Sequence, residues 1–246
     1  NTSFHELIEE QQKLTRQLYN TTVSLYETEL GKKQAELDFL RSQINPHFLY
    51  NTLESIKDIA LEKQVPEIAG MSDALGKLFR YNVKGENIVP LSRELEITMA
   101  YLEIQESRFP GKLETICSIR EETRSVPVMK FLLQPLVENA VFHGIEPASR
   151  KGTLFIGARL QGDRLLITIQ DDGIGIPEDT FAQLQERLAD IGIINTYSEQ
   201  HVGILNVAHR ILLNYGPGYG LTLDSIQGEG TRILLTLPAD GAASLS

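Results

Sequence analysis

Leu7, Gln11, Leu14, Leu18, Thr21, Leu25 and Thr28 follow one another at alternating steps of three and four residues, the spacing of a heptad seam. A second seam, Leu37, Leu40, Ile44, His47 and Asn51, runs out of phase with the first, and such a phase change locally unwinds a coiled coil. Between Phe4 and Leu61 there is one glycine, Gly31, and one proline, Pro46, so the pattern predicts long helix with a local bend at Pro46. Gln and Thr in the seam lower its stability and suit a parallel helix pair with more than one packing. After a break at Gln64-Val65-Pro66, Ile68, Met71, Leu75, Leu78 and Phe79 predict a second amphipathic helix over about 67–81. Two such helices make a hairpin, and two hairpins make a four-helix bundle. Gly85-Glu86-Asn87 reads as a linker.

The texture then changes. Leu91-Ser92-Arg93-Glu94 opens a helix, with Ser92 as its expected N-cap, that runs to about Phe109 and stops at Pro110-Gly111. Strands are expected at 113–119, 153–160, 164–170, 221–226 and 231–237. Gln161-Gly162-Asp163 and Gln227-Gly228-Glu229-Gly230 serve as hairpin turns. Helices are expected over about 128–143 and 203–215. The fold class is therefore α+β: a coiled coil and helical hairpin, then a two-layer sandwich on a mixed, mainly antiparallel sheet. The stretch from Pro177 to Val202 is long for a connection and reads as a mobile lid.

Composition narrows the function. The 246 residues carry 33 acidic against 23 basic side chains, a net charge of −10, which argues against nucleic-acid binding. A single cysteine, Cys117, excludes disulfides and Cys-cluster zinc. The longest window free of Asp, Glu, Lys and Arg runs from Ile211 to Leu223, short of the about 20 apolar residues a spanning helix needs. The first residues carry no signal-peptide pattern. Because the chain opens on Asn1, the expectation is a fragment whose membrane anchor lies upstream.

Three segments carry candidate chemistry. In Ile169-Gln170-Asp171-Asp172-Gly173-Ile174-Gly175 a strand ends on an acid and passes into Gly-x-Gly. The acid can accept hydrogen bonds from an exocyclic amine, and the glycines let backbone approach a ligand, although an ordinary Asp-Gly turn looks the same. In Val137-Glu138-Asn139-Ala140-Val141-Phe142-His143-Gly144, Asn139 and His143 lie one helical turn apart, as a hydrated Mg²⁺ site or as plain helix-end polar groups. His201-Val202-Gly203-Ile204-Leu205-Asn206 places a glycine at a helix start, where free amides suit phosphate.

In this order the three segments resemble the N, G1 and G2 boxes of the Bergerat ATP-binding fold of histidine kinases, gyrase, Hsp90 and MutL-type ATPases. Gly228-Glu229-Gly230-Thr231 fits the same pattern. Hydrolytic members resemble one another in a Glu four residues before the metal-binding Asn. Here that position is Pro135, and Glu138 points roughly a quarter-turn or more away. Gln43-Ile44-Asn45-Pro46-His47-Phe48-Leu49-Tyr50-Asn51-Thr52-Leu53 is similar to the phosphoacceptor box of LytS/YesM-like sensor histidine kinases. Leu91 to Glu96 and Tyr101 to Phe109 match that subfamily too, so the resemblance covers about 35–238.

The resemblance implies a kinase in which His47 takes the γ-phosphoryl group of Mg-ATP and Asn51 shares its helix face. Asp171 would read the adenine amine and Asn139 would hold Mg²⁺, with His143, Gly173, Gly175, Gly203, Asn206 and Thr231 completing the nucleotide site. It implies a homodimer through hairpin and coiled coil, and onward transfer to an aspartate of a response regulator. The expected division is 1–32 coiled coil, 33–87 dimerisation and phosphotransfer hairpin, 88–240 catalytic domain and 241–246 tail. The whole is expected to be the cytoplasmic portion of a protein of the bacterial cell membrane. Two departures stand out: Phe48 follows the phosphoacceptor where many histidine kinases have an acid, leaving the base unassigned, and His201 replaces a G2-box glycine. The rival readings are a gyrase- or Hsp90-like ATPase and a catalytically silent nucleotide-binding scaffold.

Overall fold

The computed structural model describes residues 28–29, 31–33, 46–83, 86–191 and 202–241. The first seam apart from Thr28, the second seam up to Ile44, the chain just before the expected bend at Pro46, and His201 lie outside the described residues. The chain divides into two compact units, Asn1–Leu49 and Tyr50–Ser246. In the first, the described residues are helical at 28–29, 31–33 and from Pro46 onward.

Helix α1 (Pro46–Glu62) ends where the sequence breaks. Gln64 takes a left-handed φ of 58°, and Val65 N–H returns to the Ala60 carbonyl at 2.8 Å. Pro66 then opens α2 (Pro66–Val83), where its missing N–H costs nothing. Lys57 donates to Asp73 at 2.7 Å, joining α1 to α2, and Arg80 lies over the Tyr50 ring at 5.6 Å. The buried side of α2 differs from the expected stripe. Ala74, Leu78 and Tyr81 are buried, whereas Ile68, Met71 and Leu75 are exposed. Small residues and Tyr81 allow close packing on the next helix, which leaves the larger aliphatic side chains outside. With Phe48, Ile56, Ile59 and Leu61 of α1 these make the hairpin rich in exposed apolar groups.

A two-stranded ribbon, β1 (Ile88–Pro90) with β3 (Pro127–Met129), brackets α3 (Leu91–Arg108) and β2 (Leu113–Ile119). Ser92 does not cap α3 through its side chain. Leu91 N–H and Ser92 N–H instead donate to the carbonyls of Val126 and Arg124, both at 2.9 Å, so backbone from the β3 approach satisfies the first turn. The helix expected from 128 also starts later. Val128 and Met129 belong to the ribbon, α4 spans Gln134–Asn139, and a π-helical turn follows at Ala140–Ile145. Apolar side chains buried on every side have no period to read, so Val128, Leu132 and Leu133 suit strand or helix equally in sequence.

The main sheet is built from β2, β4 (Gly152–Gln161), β5 (Arg164–Asp171), β6 (Gly220–Ile226) and β7 (Gly230–Pro238), in the order β2-β4-β5-β7-β6. Only β2 and β4 are parallel. Alternate residues Leu154 and Ile156, Leu165, Ile167 and Ile169, and Ile233, Leu235 and Leu237 face the helical layer. Each such side chain contributes about 1.5–3 kcal/mol by leaving water. The helices α3, α4 and α6 (Val202–Tyr215) cover them, giving the expected two layers. The expected lid contains ordered structure: α5 (Glu178–Ala189) runs through its first half and buries Leu184 in the core. Leu184 and its half-buried neighbours Phe181 and Leu188 share one face, which the polar residues between them mask in sequence. Among the described residues no helix is long and apolar enough to cross a membrane.

Candidate functional site

Asp171 is the last residue of β5, opposite Thr231 of β7. Its side chain is 4% exposed and accepts a hydrogen bond from Gly173 N–H at 2.9 Å. Burial, and to a lesser degree the neighbouring Asp172, push its carboxyl up to about 6 against the opposing amides of Gly173 and Thr231. Sidedness follows from sign. A carboxyl raised from 3.8 to about 6 stabilises the fold fully below the lower value, and loses on the order of 3 kcal/mol as pH rises through 6. An ionised Asp171 therefore costs the fold at neutral pH, as expected of a group retained for a ligand.

The turn after Asp171 is stitched to the end of the π-helical turn. Ile174 N–H donates to the Gly144 carbonyl at 2.9 Å, and a Cβ on Gly173 would meet that carbonyl at 2.3 Å, so only glycine fits. The wide turn closes through Glu146 N–H to the Val141 carbonyl at 2.8 Å. It breaks the regular helical spacing between Asn139 and His143 that the sequence implies. Ser225 adds a further tie, accepting from Ile176 N–H at 2.9 Å.

Asn139 donates its amide NH₂ to the Pro135 carbonyl at 2.8 Å, which leaves the amide oxygen as the group available to a ligand. Gly203 at the start of α6 lies against this side chain; a Cβ there would sit 2.6 Å from Asn139 Nδ2. Asn139, His143, Gly144, Asp171, Gly175 and Thr231 line one cleft, with Ile169, Ile176, Ile204 and Ile233 as its apolar walls. A flat, partly apolar ligand with one amine donor suits such a cleft. A second hollow adjoins it, sharing Asn139 and His143 and lined also by Tyr101, Pro135, Glu138, Phe142 and Gly203.

Of the expected site residues, Asn139, His143, Asp171, Gly175 and Thr231 share the cleft, and Gly173 and Gly203 support its walls. Asn206 is half-buried in α6 and does not line the cleft. His47 and Asn51 are exposed on α1, a turn apart. The isoleucine walls, Ser225 and the Pro135 carbonyl escaped the sequence, where the isoleucines look like any core residue and a carbonyl has no signature. Should Asp171 bind an amine, affinity for adenosine is expected to fall roughly tenfold from pH 7 to pH 5, as the acceptor becomes protonated. Titration of adenosine, which has no phosphate of its own to protonate, checks this; a flat profile excludes that contact.

The cleft, with its isoleucine walls and one buried acid, lies at the junction of β5, β7, α4 and α6. Residues 127–241 match the model of the "Histidine kinase-, DNA gyrase B-, and HSP90-like ATPase" family, and residues 35–113 match the "Histidine kinase" model. The chain is 36% identical over 213 residues to the sensor histidine kinase YesM of Bacillus subtilis, covering 86% of this chain and 35% of that protein. It is 33% identical over 207 residues to the sensor histidine kinase YpdA of Escherichia coli, covering 83% and 34%. To the sensor protein LytS of Enterococcus faecalis it is 26% identical over 230 residues, covering 91% and 38%. The chain belongs to the sensor histidine kinase family, in its LytS/YesM-like branch. It spans about a third of the length of these curated relatives.

Proposed function

We propose that this chain is the catalytic portion of a two-component sensor kinase, autophosphorylating His47 from Mg-ATP and passing the group to an aspartate of a response regulator. The observation that carries this reading is a solvent-exposed imidazole, His47, in a chain that has Pro135, four residues before Asn139, where hydrolytic relatives keep their water-activating Glu. In the reaction, the ionised Asp171 accepts from the adenine amine and the isoleucine walls hold the ring. The Asn139 oxygen, left available by the bond to Pro135, would be the neutral protein ligand to Mg²⁺. When bound, Mg²⁺ offsets the charge of the phosphates. A neutral nitrogen of His47 attacks the γ-phosphorus in line, the bond to the β,γ-bridging oxygen breaks, and ADP leaves.

The division into coiled coil to residue 32, hairpin over 33–87 and catalytic domain over 88–240 belongs to the same proposal. So does a homodimer, supported by exposed Phe48 and Ile59, 64% and 58% accessible, which two hairpins packed together would cover. The full-length protein is proposed to reside in the bacterial cell membrane through a segment outside this chain. Incubation with γ-labelled ATP tests the reading: label is expected on the chain in an acid-labile, alkali-stable bond. Steady phosphate release without labelling would instead indicate the gyrase- or Hsp90-like ATPase, and nucleotide binding with neither would indicate the silent scaffold.

A further inference from the structure

The Leu91–Glu96 segment contains a carboxylate that the reaction above does not use. Glu94 is 1% exposed, in the middle of α3's packing surface. Its Oε1 accepts from Phe131 N–H at 2.8 Å and from the Tyr81 hydroxyl; its Oε2 accepts from Leu132 N–H at 2.8 Å and Leu133 N–H at 3.0 Å. Three consecutive amides converge on one side chain because Phe131 takes a left-handed φ of 58°, rare for a bulky residue. This strap runs straight into α4, which ends at Asn139. Arg210 of α6 donates to the strap's Phe131 and Lys130 carbonyls, and the Tyr215 hydroxyl accepts from Met129 N–H at 2.9 Å.

The strap is thus tied on one side to both helices of the nucleotide cleft. On its other side it meets the hairpin. Tyr81 belongs to α2, stands edge-on to the Phe131 ring at 5.3 Å, and lies under the Lys130 ammonium at 4.5 Å. An apolar residue in place of Glu94 would fill the space without burying a charge, but would leave the three strap amides unpaired. A fully satisfied buried network of this kind holds one arrangement of its parts rather than several.

We propose that Glu94 is a positioning residue that locks the strap leading into α4, and that its bond to Tyr81 couples hairpin helix α2 to the nucleotide cleft. In Tyr81→Phe the three amide bonds to Glu94 and the ring contacts with Phe131 and Lys130 remain, so the cleft keeps its shape, while the hydrogen bond from α2 to Glu94 is lost. The kinetic part of the test rests on the kinase reading; the exchange part does not. Amide hydrogen exchange over residues 74–83 is compared with and without a saturating non-hydrolysable ATP analogue. The parent chain is expected to show at least threefold slower exchange with nucleotide, and Tyr81→Phe is expected to lose that response; no response in the parent, or the same response in both, overturns the proposal. In autophosphorylation, Tyr81→Phe is expected to lower kcat about tenfold with the KM for ATP within twofold. Adding Tyr81→Phe to Glu94→Gln is expected to change kcat less than twofold further. An unchanged kcat in Tyr81→Phe, or full additivity with Glu94→Gln, overturns it as well. A parent chain that shows the exchange response but never labels at His47 refutes the kinase reading and leaves the coupling standing.

Discussion

His47→Gln is expected to abolish acid-labile labelling from ATP, a loss of at least about a thousandfold that no neighbouring group restores. Glutamine has nearly the reach of histidine but no ring nitrogen whose lone pair is both nucleophilic and unprotonated near neutral pH. The side chain is exposed on α1, and Gln is a better helix former than His, so the fold has no reason to change. Nucleotide affinity should stay within about twofold, because no cleft-lining residue is altered. Filter-binding of label and equilibrium binding of nucleotide on the same preparation separate the two effects. Label that survives the substitution assigns the phosphoacceptor to another residue.

The second large effect falls on Asp171, where function and stability should move in opposite directions. In Asp171→Asn the amide oxygen can replace the carboxylate toward Gly173 N–H, but the NH₂ then confronts either the Thr231 amide or the ligand amine, donor against donor. Losing a hydrogen bond to a charged acceptor costs about 1.5–3 kcal/mol, so nucleotide affinity is expected to drop roughly 10- to 150-fold. The same change removes a buried carboxylate whose ionisation the fold resists at neutral pH. The nucleotide-free variant is therefore expected to melt no lower than the parent at pH 7.5, and the parent's advantage to return below about pH 5. Calorimetric titration and thermal melts at both pH values decide it. Undiminished binding would remove Asp171 from ligand recognition, and a lower melting temperature at pH 7.5 would make it a structural residue.

Reading the chain in one dimension succeeded where chemistry is local. The β-branched and leucine run from Leu165 to Ile169, the turn at Gly162, and the break at Pro66 each depend on residues within a few positions of one another. The three boxes were visible for the same reason: each packs its functional side chain and its glycine into one short segment. It failed where a residue's environment is supplied from far along the chain. Ser92 looks like a cap, yet the first amides of α3 are met by carbonyls of 124–126. Val128 to Leu133 look helical, yet Glu94, thirty-seven residues before Phe131, holds that stretch in a strap.

The amino-acid pattern by itself determined the five strands of the main sheet, the branch of the family, and the short list of acids, amides and imidazoles fit for phosphoryl chemistry. Periodicity and turn chemistry are short-range, and one chain suffices to display them. Only the tertiary structure decided that five of the expected site residues share one cleft, that α4 opens into a π-helical turn to bring Gly144 against Gly173, and that Glu94 bonds both the hairpin's Tyr81 and the strap that leads into α4. Such arrangements arise when segments distant in sequence compete for the same buried donors and acceptors, and burial, which sets those terms, exists only in three dimensions.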